Sequence, residues 1–229
     1  PQAARFITAK LWSFFASDNL SEELNTALAD LFRKQGNEFK LVLRTMFLSE
    51  EFYAAPVIRN QVKSPVQWLV SSVRMLEREL PPPLVSSNLM GKLGQELFAP
   101  PNVKGWDGGL AWITTNNLLG RYNQAELLVY GRNQVKFDGG KGLKFIQKRF
   151  NRHQGNGTPI DLAKLFTAEE RQNKRALLAA VEKRFIQGTL KPRQEQTLRE
   201  YLDGQGELDQ NDILETIRLT MSTPEFQLG

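Results

Sequence analysis

The chain has 229 residues, a formal net charge of +5 and no cysteine. This length fits one large domain or two small ones, and the 41% of hydrophobic residues suffice for a buried core, which excludes disorder of the whole chain. The absence of cysteine excludes disulfides and thiolate metal sites but leaves the redox compartment open. No apolar run is as long as a membrane span, and the chain opens at Pro1 without a signal peptide, so we expect a fragment of a longer chain.

Apolar residues recur with a spacing near 3.6 along most of the chain, which predicts helices. The first helix is expected over about residues 3–16. A second begins at Ser21 and ends near Gly36, because glycine accepts the left-handed conformation that often follows a helix. A third spans about residues 38–48.

The run SPVQ at residues 64–67 is a stronger start signal. Ser64 can accept a hydrogen bond from the first-turn amides, Pro65 suits the first helical position, and Gln67 can reach back to complete a capping box. That helix should end before the three prolines at 81–83. Two more helices are expected, over about residues 85–97 and 115–130.

The segment 131–158 is rich in Gly, Asn, Lys and Arg. Between Arg132 and His153 it carries seven basic residues and one acid, a balance of +6. Weak alternation permits a small hairpin, but we expect a mobile loop or linker. Nucleic-acid binding through residues 132–152 is an alternative, although no recognition motif supports it and a solvated loop is the commoner meaning. We therefore predict a main helical domain at 1–130, this basic segment, and a C-terminal helical subdomain at 159–229 that packs on the first.

The C-terminal part reads as helical again, with start signals at Thr167 and Asp209. Residues 43–52 also align without gaps on residues 217–226. In both segments an Arg-bearing apolar helix ends in a hydroxyl residue that can cap a final turn, whose Phe folds back onto the core. We interpret this as a reused helix-ending device.

Together these patterns predict an all-α fold, an irregular multi-helix bundle with a rigid Pro/Gly/Trp loop and a basic excursion. The expected core contains mainly large apolar residues from the predicted helices. They are Phe6, Phe14, Leu28, Leu31, Phe47, Phe52, Trp68, Leu69, Leu97 and Leu119.

The residue types that most catalysis requires are scarce. His153, the only histidine, has no partner at metal-ligand spacing, so we predict no metal site and no cofactor. The sequence lacks a nucleophile elbow, a phosphate-binding loop and an EF-hand. Adjacent carboxylates at 22–23, 50–51 and 169–170 lie at predicted helix starts, where the helix dipole explains them. We expect this chain to be non-catalytic.

The loop at 98–109, FAPPNVKGWDGG, combines two prolines that fix φ with three glycines that permit turns, so it is built to hold one shape. One interpretation is structural: Trp106 fills a gap between helices while Asn102 and Asp107 bond to the backbone. The other is a binding site in which an aromatic face stacks a sugar or another flat ligand beside convergent polar groups. The candidate ligand-binding residues are Asn102, Lys104, Trp106, Asp107, Trp112, Asn116 and Arg121.

This loop, followed by AWITTNNLLGRYN at 111–123, resembles the hallmark of the bacterial domain-of-unknown-function family 1800. Other segments are similar to that family as well: residues 10–15, 43–52, 62–65 and 222–227. The resemblance covers about residues 5–123 well and the C-terminal helices more loosely. The segment 131–158 departs from it.

The resemblance implies an exported bacterial protein, periplasmic or at the cell surface, that is longer than this chain and is often encoded beside secreted sulfatase-like or phosphatase-like proteins. We therefore expect a helical binding module whose loop at 99–116 recognises a protein partner, such as one of those neighbours, or a cell-surface glycan. An alternative is the substrate-contacting part of an extracellular hydrolase that acts on polysaccharide. Its catalytic groups would then lie in an N-terminal half outside this chain.

Overall fold

The computed structural model describes residues 2–130 and 159–229. These residues form eleven α-helices and no strand, which confirms the predicted all-α fold. The helices are α1 (Gln2–Phe15), α2 (Glu22–Lys34), α3 (Phe39–Leu48), α4 (Pro65–Met75), α5 (Pro83–Lys92), α6 (Thr115–Tyr130), α7 (Leu162–Leu165), α8 (Ala168–Gln172), α9 (Lys174–Val181), α10 (Pro192–Asp203) and α11 (Gln210–Met221). Short 3₁₀ turns occur at Glu51–Tyr53, Gly109–Trp112 and Glu225–Gln227, and a π-helical turn occurs at Glu182–Ile186. No helix in the described ranges is both long enough and apolar enough to cross a membrane.

The chain divides into two compact units. The first unit comprises residues 1–61 and 228–229, and the second comprises residues 62–227. The predicted domain boundaries adjoin the basic segment 131–158, which lies outside the described residues. The hairpin and the nucleic-acid interface considered for that segment therefore lie outside the described residues as well. The three-part division therefore stays a prediction. In the second unit α6 packs against α11, so helices from before and after that segment share one core.

In the first unit α1, α2 and α3 pack against one another around a small core. Helix α1 buries Ala4, Thr8 and Trp12, which are spaced four residues apart and so share one face. The prediction that Phe6 and Phe14 lie in the core is wrong, since both are exposed. Each lies two residues from a buried position, or about 200° of helix rotation, which places it on the opposite side. Of the other predicted core residues in this unit, Leu28 is buried, and three are half-buried: Leu31, Phe47 and Phe52.

The second unit has the larger core, to which α4, α6, α9, α10 and α11 all contribute. Trp68 and Leu69 of α4 are buried in it, as predicted. Leu97 and Leu119 are exposed, which corrects their placement in the core. Helix α5 ends before Leu97, which therefore falls in the loop, and Leu119 lies two residues from the buried Arg121, on the opposite side of α6.

Helix starts agree with the sequence where capping side chains signal them. The Ser64 hydroxyl accepts from Gln67 N (3.3 Å), and the Gln67 side chain accepts from Ser64 N (2.8 Å). Thr167 and Glu170 form the same reciprocal pair at the start of α8. These boxes satisfy amides that would otherwise lack a partner in the first turn, which fixes where each helix begins.

The two aligned segments end in the same structure. The Ser49 hydroxyl donates to the carbonyl three residues earlier (3.0 Å) and accepts from Phe52 N (3.3 Å). The Thr223 hydroxyl does the same at 2.8 Å and accepts from Phe226 N at 3.4 Å. Each Phe meets a tryptophan edge-on, with ring centroids 6.3 Å apart in both pairs: Trp12–Phe52 and Trp68–Phe226. The predicted helix-ending device is thus present once in each unit.

Candidate functional site

The loop between α5 and α6 is held by turns that require glycine. Gly105 and Gly108 have φ values of 94° and 76°, in a region that other residues resist. Gly105 N donates to Asn102 O (3.1 Å), and Ala111 N donates to Gly108 O (3.1 Å). These bonds close successive turns inside the loop, so its backbone has a defined shape.

The two tryptophans of the loop differ in environment. Trp112 is 7% exposed and lies against Gly94, where an added Cβ would be 3.7 Å from the indole Cζ3. Gly94 itself has a φ of 90°. Trp106 is half-buried. Trp112 therefore anchors the loop, while part of the Trp106 side chain remains in contact with solvent.

Three of the predicted ligand-binding residues bond to one another within the loop. Asn102 Oδ1 accepts from Lys104 N (2.9 Å), and Lys104 Nζ donates to Asp107 Oδ1 (2.8 Å). All three side chains are exposed, and so is Asn116 at the start of α6. The structure thus brings Asn102, Lys104 and Asp107 together, with Trp106 between them in sequence.

The same ion pair argues against acid–base chemistry in the loop. The hydrogen bond between Lys104 and Asp107 raises the pKa of Lys104 and lowers the pKa of Asp107. Both pKa values therefore move away from neutrality, where a general acid or base works best. In the described ranges, no three His, Asp or Glu side chains lie close enough together to hold a metal ion.

Arg121 does not join that group, because it is only 1% exposed and points into the second unit. Its Nη2 donates to Lys63 O (2.6 Å) and its Nη1 donates to Gln227 Oε1 (3.0 Å). Lys63 Nζ in turn donates to Phe226 O (2.9 Å) and lies 4.4 Å from the centre of the Phe226 ring. Desolvation lowers the pKa of Arg121 to about 10. The arginine thus clamps the turn after α11 onto the chain before α4.

Large apolar side chains reach into solvent along the loop, and sequence analysis placed one of them, Leu97, in the core. We define the loop apolar set as Leu97, Phe98, Val103 and Leu110. Phe98 is 99% exposed, Leu110 is 82% exposed, and Val103 is fully exposed. Phe98 also has a φ of 65°, a left-handed conformation that is unusual for a bulky residue. A signal was present in the sequence: apolar residues interspersed among the prolines and glycines of a loop.

A second polar cluster, which sequence analysis did not identify, joins α6 to α11. Glu215 Oε2 accepts from the Tyr130 hydroxyl and from Arg218 Nε, both at 2.8 Å, and Arg218 also donates to the other carboxylate oxygen. The Arg218 guanidinium lies 4.7 Å from the centre of the Tyr122 ring. The hydrogen bond from Arg218 lowers the pKa of Glu215, and burial raises that of Tyr130. This cluster stabilises the packing of two core helices.

We expect Glu215→Gln to remove part of the destabilisation that acid causes. Because the folded pKa of Glu215 lies below its unfolded value, its contribution to stability is present above the unfolded pKa and is lost as pH falls through the folded pKa. Between pH 7 and about pH 3, the native sequence should therefore lose on the order of 1–2 kcal/mol more unfolding free energy than the variant. Urea unfolding at several pH values measures this difference, with the exposed Glu207→Gln as a control. An equal fall in unfolding free energy between pH 7 and about pH 3 for the native protein and Glu215→Gln would contradict this expectation.

A family model described as Protein of unknown function (DUF1800) matches residues 1–228. The chain belongs to this family. Both the loop at 98–109 and the buried Arg121 fall within the match. Neither a curated protein nor a solved structure matches the chain.

Proposed function

We propose that this chain is a non-catalytic helical module that docks an apolar surface of a partner protein through the loop apolar set. The observation that carries the proposal is the exposure of Phe98 and Leu110 on a loop with a defined backbone. Burying apolar surface contributes roughly 25 cal/mol per Å², so four such side chains supply a substantial part of a protein interface. Soluble proteins seldom expose so many large apolar side chains in one short segment without a use for them.

The preformed shape of the loop favours binding. A loop that is already ordered loses little conformational entropy when a partner covers it, so more of the contact energy remains as affinity. Turns closed at Gly105 and Gly108, together with the buried Trp112, supply that order. The loop is therefore suited to rigid docking.

The charges of the loop favour a neutral, apolar partner surface. Lys104 and Asp107 neutralise each other. Because this pair carries no net charge and Glu96 is the one other charged residue between α5 and α6, an interface over the loop apolar set would need neither a strongly acidic nor a strongly basic partner. The proposed partner is a protein outside the cytoplasm, one of the secreted sulfatase-like or phosphatase-like neighbours that the resemblance to exported family members suggests.

The test is a calorimetric titration of the chain with such a purified neighbour. We expect Leu110→Asp to weaken binding at least about tenfold, because it places a charge in an apolar contact, while the circular dichroism melt stays unchanged. Leu48→Asp is the matched control, since Leu48 is similarly exposed (73%) but belongs to the first unit. Equal affinity of Leu110→Asp and the native chain would overturn the proposal, as would a loss of affinity in the control.

Glycan binding is the second candidate, because the Trp106 side chain is partly open to solvent and can stack on a sugar ring. Titration with soluble oligosaccharides, followed by tryptophan fluorescence, should then respond to Trp106→Ala and not to Leu110→Asp. The opposite response would assign the loop to protein docking. A hydrolase role predicts turnover by the full-length protein and none by this chain alone.

A further inference from the structure

A cleft of about 230 Å³ opens between α9 and α10 in the second unit, away from the loop described above. Buried Leu178 and Leu202 form its apolar floor. Six ionisable side chains line its walls, three of each sign: Lys174, Arg175 and Arg199, and Glu182, Glu195 and Asp203. The cleft thus combines an apolar base with charged edges, as small-ligand sites do.

The charges are sorted along the cleft. Lys174 Nζ donates to Gln205 O (2.6 Å), so the start of α9 lies beside the end of α10 and the two helices run antiparallel. At the other end Glu182 lies within electrostatic reach of Glu195 and Arg199. One end therefore holds two carboxylates and one guanidinium, and the other holds two cations and Asp203, which gives net charges of −1 and +1. Eight residues of helix separate the ends, or about 12 Å.

Among these six side chains, all of them in the described part of the chain, no salt bridge joins one helix to the other across the cleft. The salt bridge among them, Arg199–Glu195, lies within α10. The side chains of Arg175 and Asp203 make no hydrogen bond or ion pair with any residue that the structure describes. Both are therefore available to a ligand.

The acidic end is built on an unusual backbone. Glu182 begins the π-helical turn, which is rare in proteins and occurs frequently at functional sites. The turn ends at Gln187, whose φ of 53° is left-handed. The Glu182 carboxylate accepts from Leu190 N (3.3 Å), which fixes its position at the rim, and its burial raises its pKa.

We propose that this cleft binds a small zwitterion of the size of a tripeptide, with the ammonium group at Glu182 and Glu195 and the carboxylate at Lys174 and Arg175. An extended tripeptide spans about 10 Å, which matches the separation of the two ends. The apolar floor accepts the aliphatic part of the ligand between them. This site is independent of the docking loop.

Triglycine is the probe, titrated by calorimetry or ligand-observed NMR. We expect saturable binding to the native chain and about tenfold weaker binding after Glu182→Gln or Arg175→Gln, since each removes one of the two charged side chains that hold one end of the ligand. The acetylated, amidated peptide lacks both charges and should not bind. Glu182→Gln keeps an oxygen for Leu190 N, so the fold is retained, and Arg193→Gln on α10, outside the cleft lining, is the control.

Three results would overturn the proposal. The first is the absence of saturable triglycine binding up to about 10 mM, a limit near 3 kcal/mol of affinity. The second is equal binding of triglycine and the blocked peptide, and the third is a loss of binding in Arg193→Gln equal to that in the cleft variants. Circular dichroism melts of each variant show whether a lost signal reflects the site or the fold.

Discussion

Arg121→Ala should lower the free energy of unfolding by about 3 kcal/mol. The 1% exposed guanidinium donates to Lys63 O and Gln227 Oε1, and its removal takes these two hydrogen bonds from buried acceptors, at about 1–3 kcal/mol each. The cavity left behind adds to this cost. Relief of desolvation, the same effect that lowers the pKa of Arg121 to about 10, offsets part of it. Urea unfolding measures the difference.

Arg121→Lys separates charge from geometry at the same position. A lysine keeps the positive charge but cannot hold both acceptors in the planar fork of a guanidinium, so we expect a loss of about 1–2 kcal/mol. The control is Arg74→Ala, on an exposed position of α4, which should stay within about 0.5 kcal/mol of the native chain. A loss in Arg121→Ala no larger than in this control would show that Arg121 does not clamp the C-terminal turn.

Trp112→Ala has the second large effect that we expect, a loss of about 3 kcal/mol in unfolding free energy. The ring is 7% exposed and lies against Gly94, so its removal leaves a gap under the loop that the rigid turns cannot close. Residues 98–111 should then exchange their amide hydrogens faster than in the native chain. Binding to the partner should weaken as well, because the loop would have to be ordered on docking.

Trp112→Phe is the matched variant, since it keeps an aromatic ring in contact with Gly94. We expect a loss of about 1 kcal/mol and nearly native exchange in the loop. Native exchange rates in Trp112→Ala would contradict the anchoring role, even if the protein were less stable.

Much of the fold could be predicted from local chemistry. Ser64 and Thr167 each have a partner three residues on, and both capping boxes form because the bonds involve only neighbouring residues. The device at Ser49 and Thr223 was predictable for the same reason: the hydroxyl and the amide that it caps are three residues apart. Family membership, too, could be inferred from the loop motif at 98–109.

The side chains that long-range packing determines could not be predicted in this way. Helical periodicity does not say which face a helix buries, so Phe6 and Phe14 were expected inside although Trp12 and Thr8 define the buried face of α1. Arg121 was expected beside the loop polar groups, whereas its partners lie 58 and 106 residues away in the chain. Such contacts depend on the tertiary arrangement, which no spacing in the sequence encodes.

The docking role of the loop is tested most directly by hydrogen exchange of the chain alone and in the presence of a purified sulfatase-like or phosphatase-like neighbour. We expect slower exchange within residues 97–112 when the neighbour is present, with little change in the helices of the second unit's core. A complex that protects other residues and leaves 97–112 unchanged would contradict it.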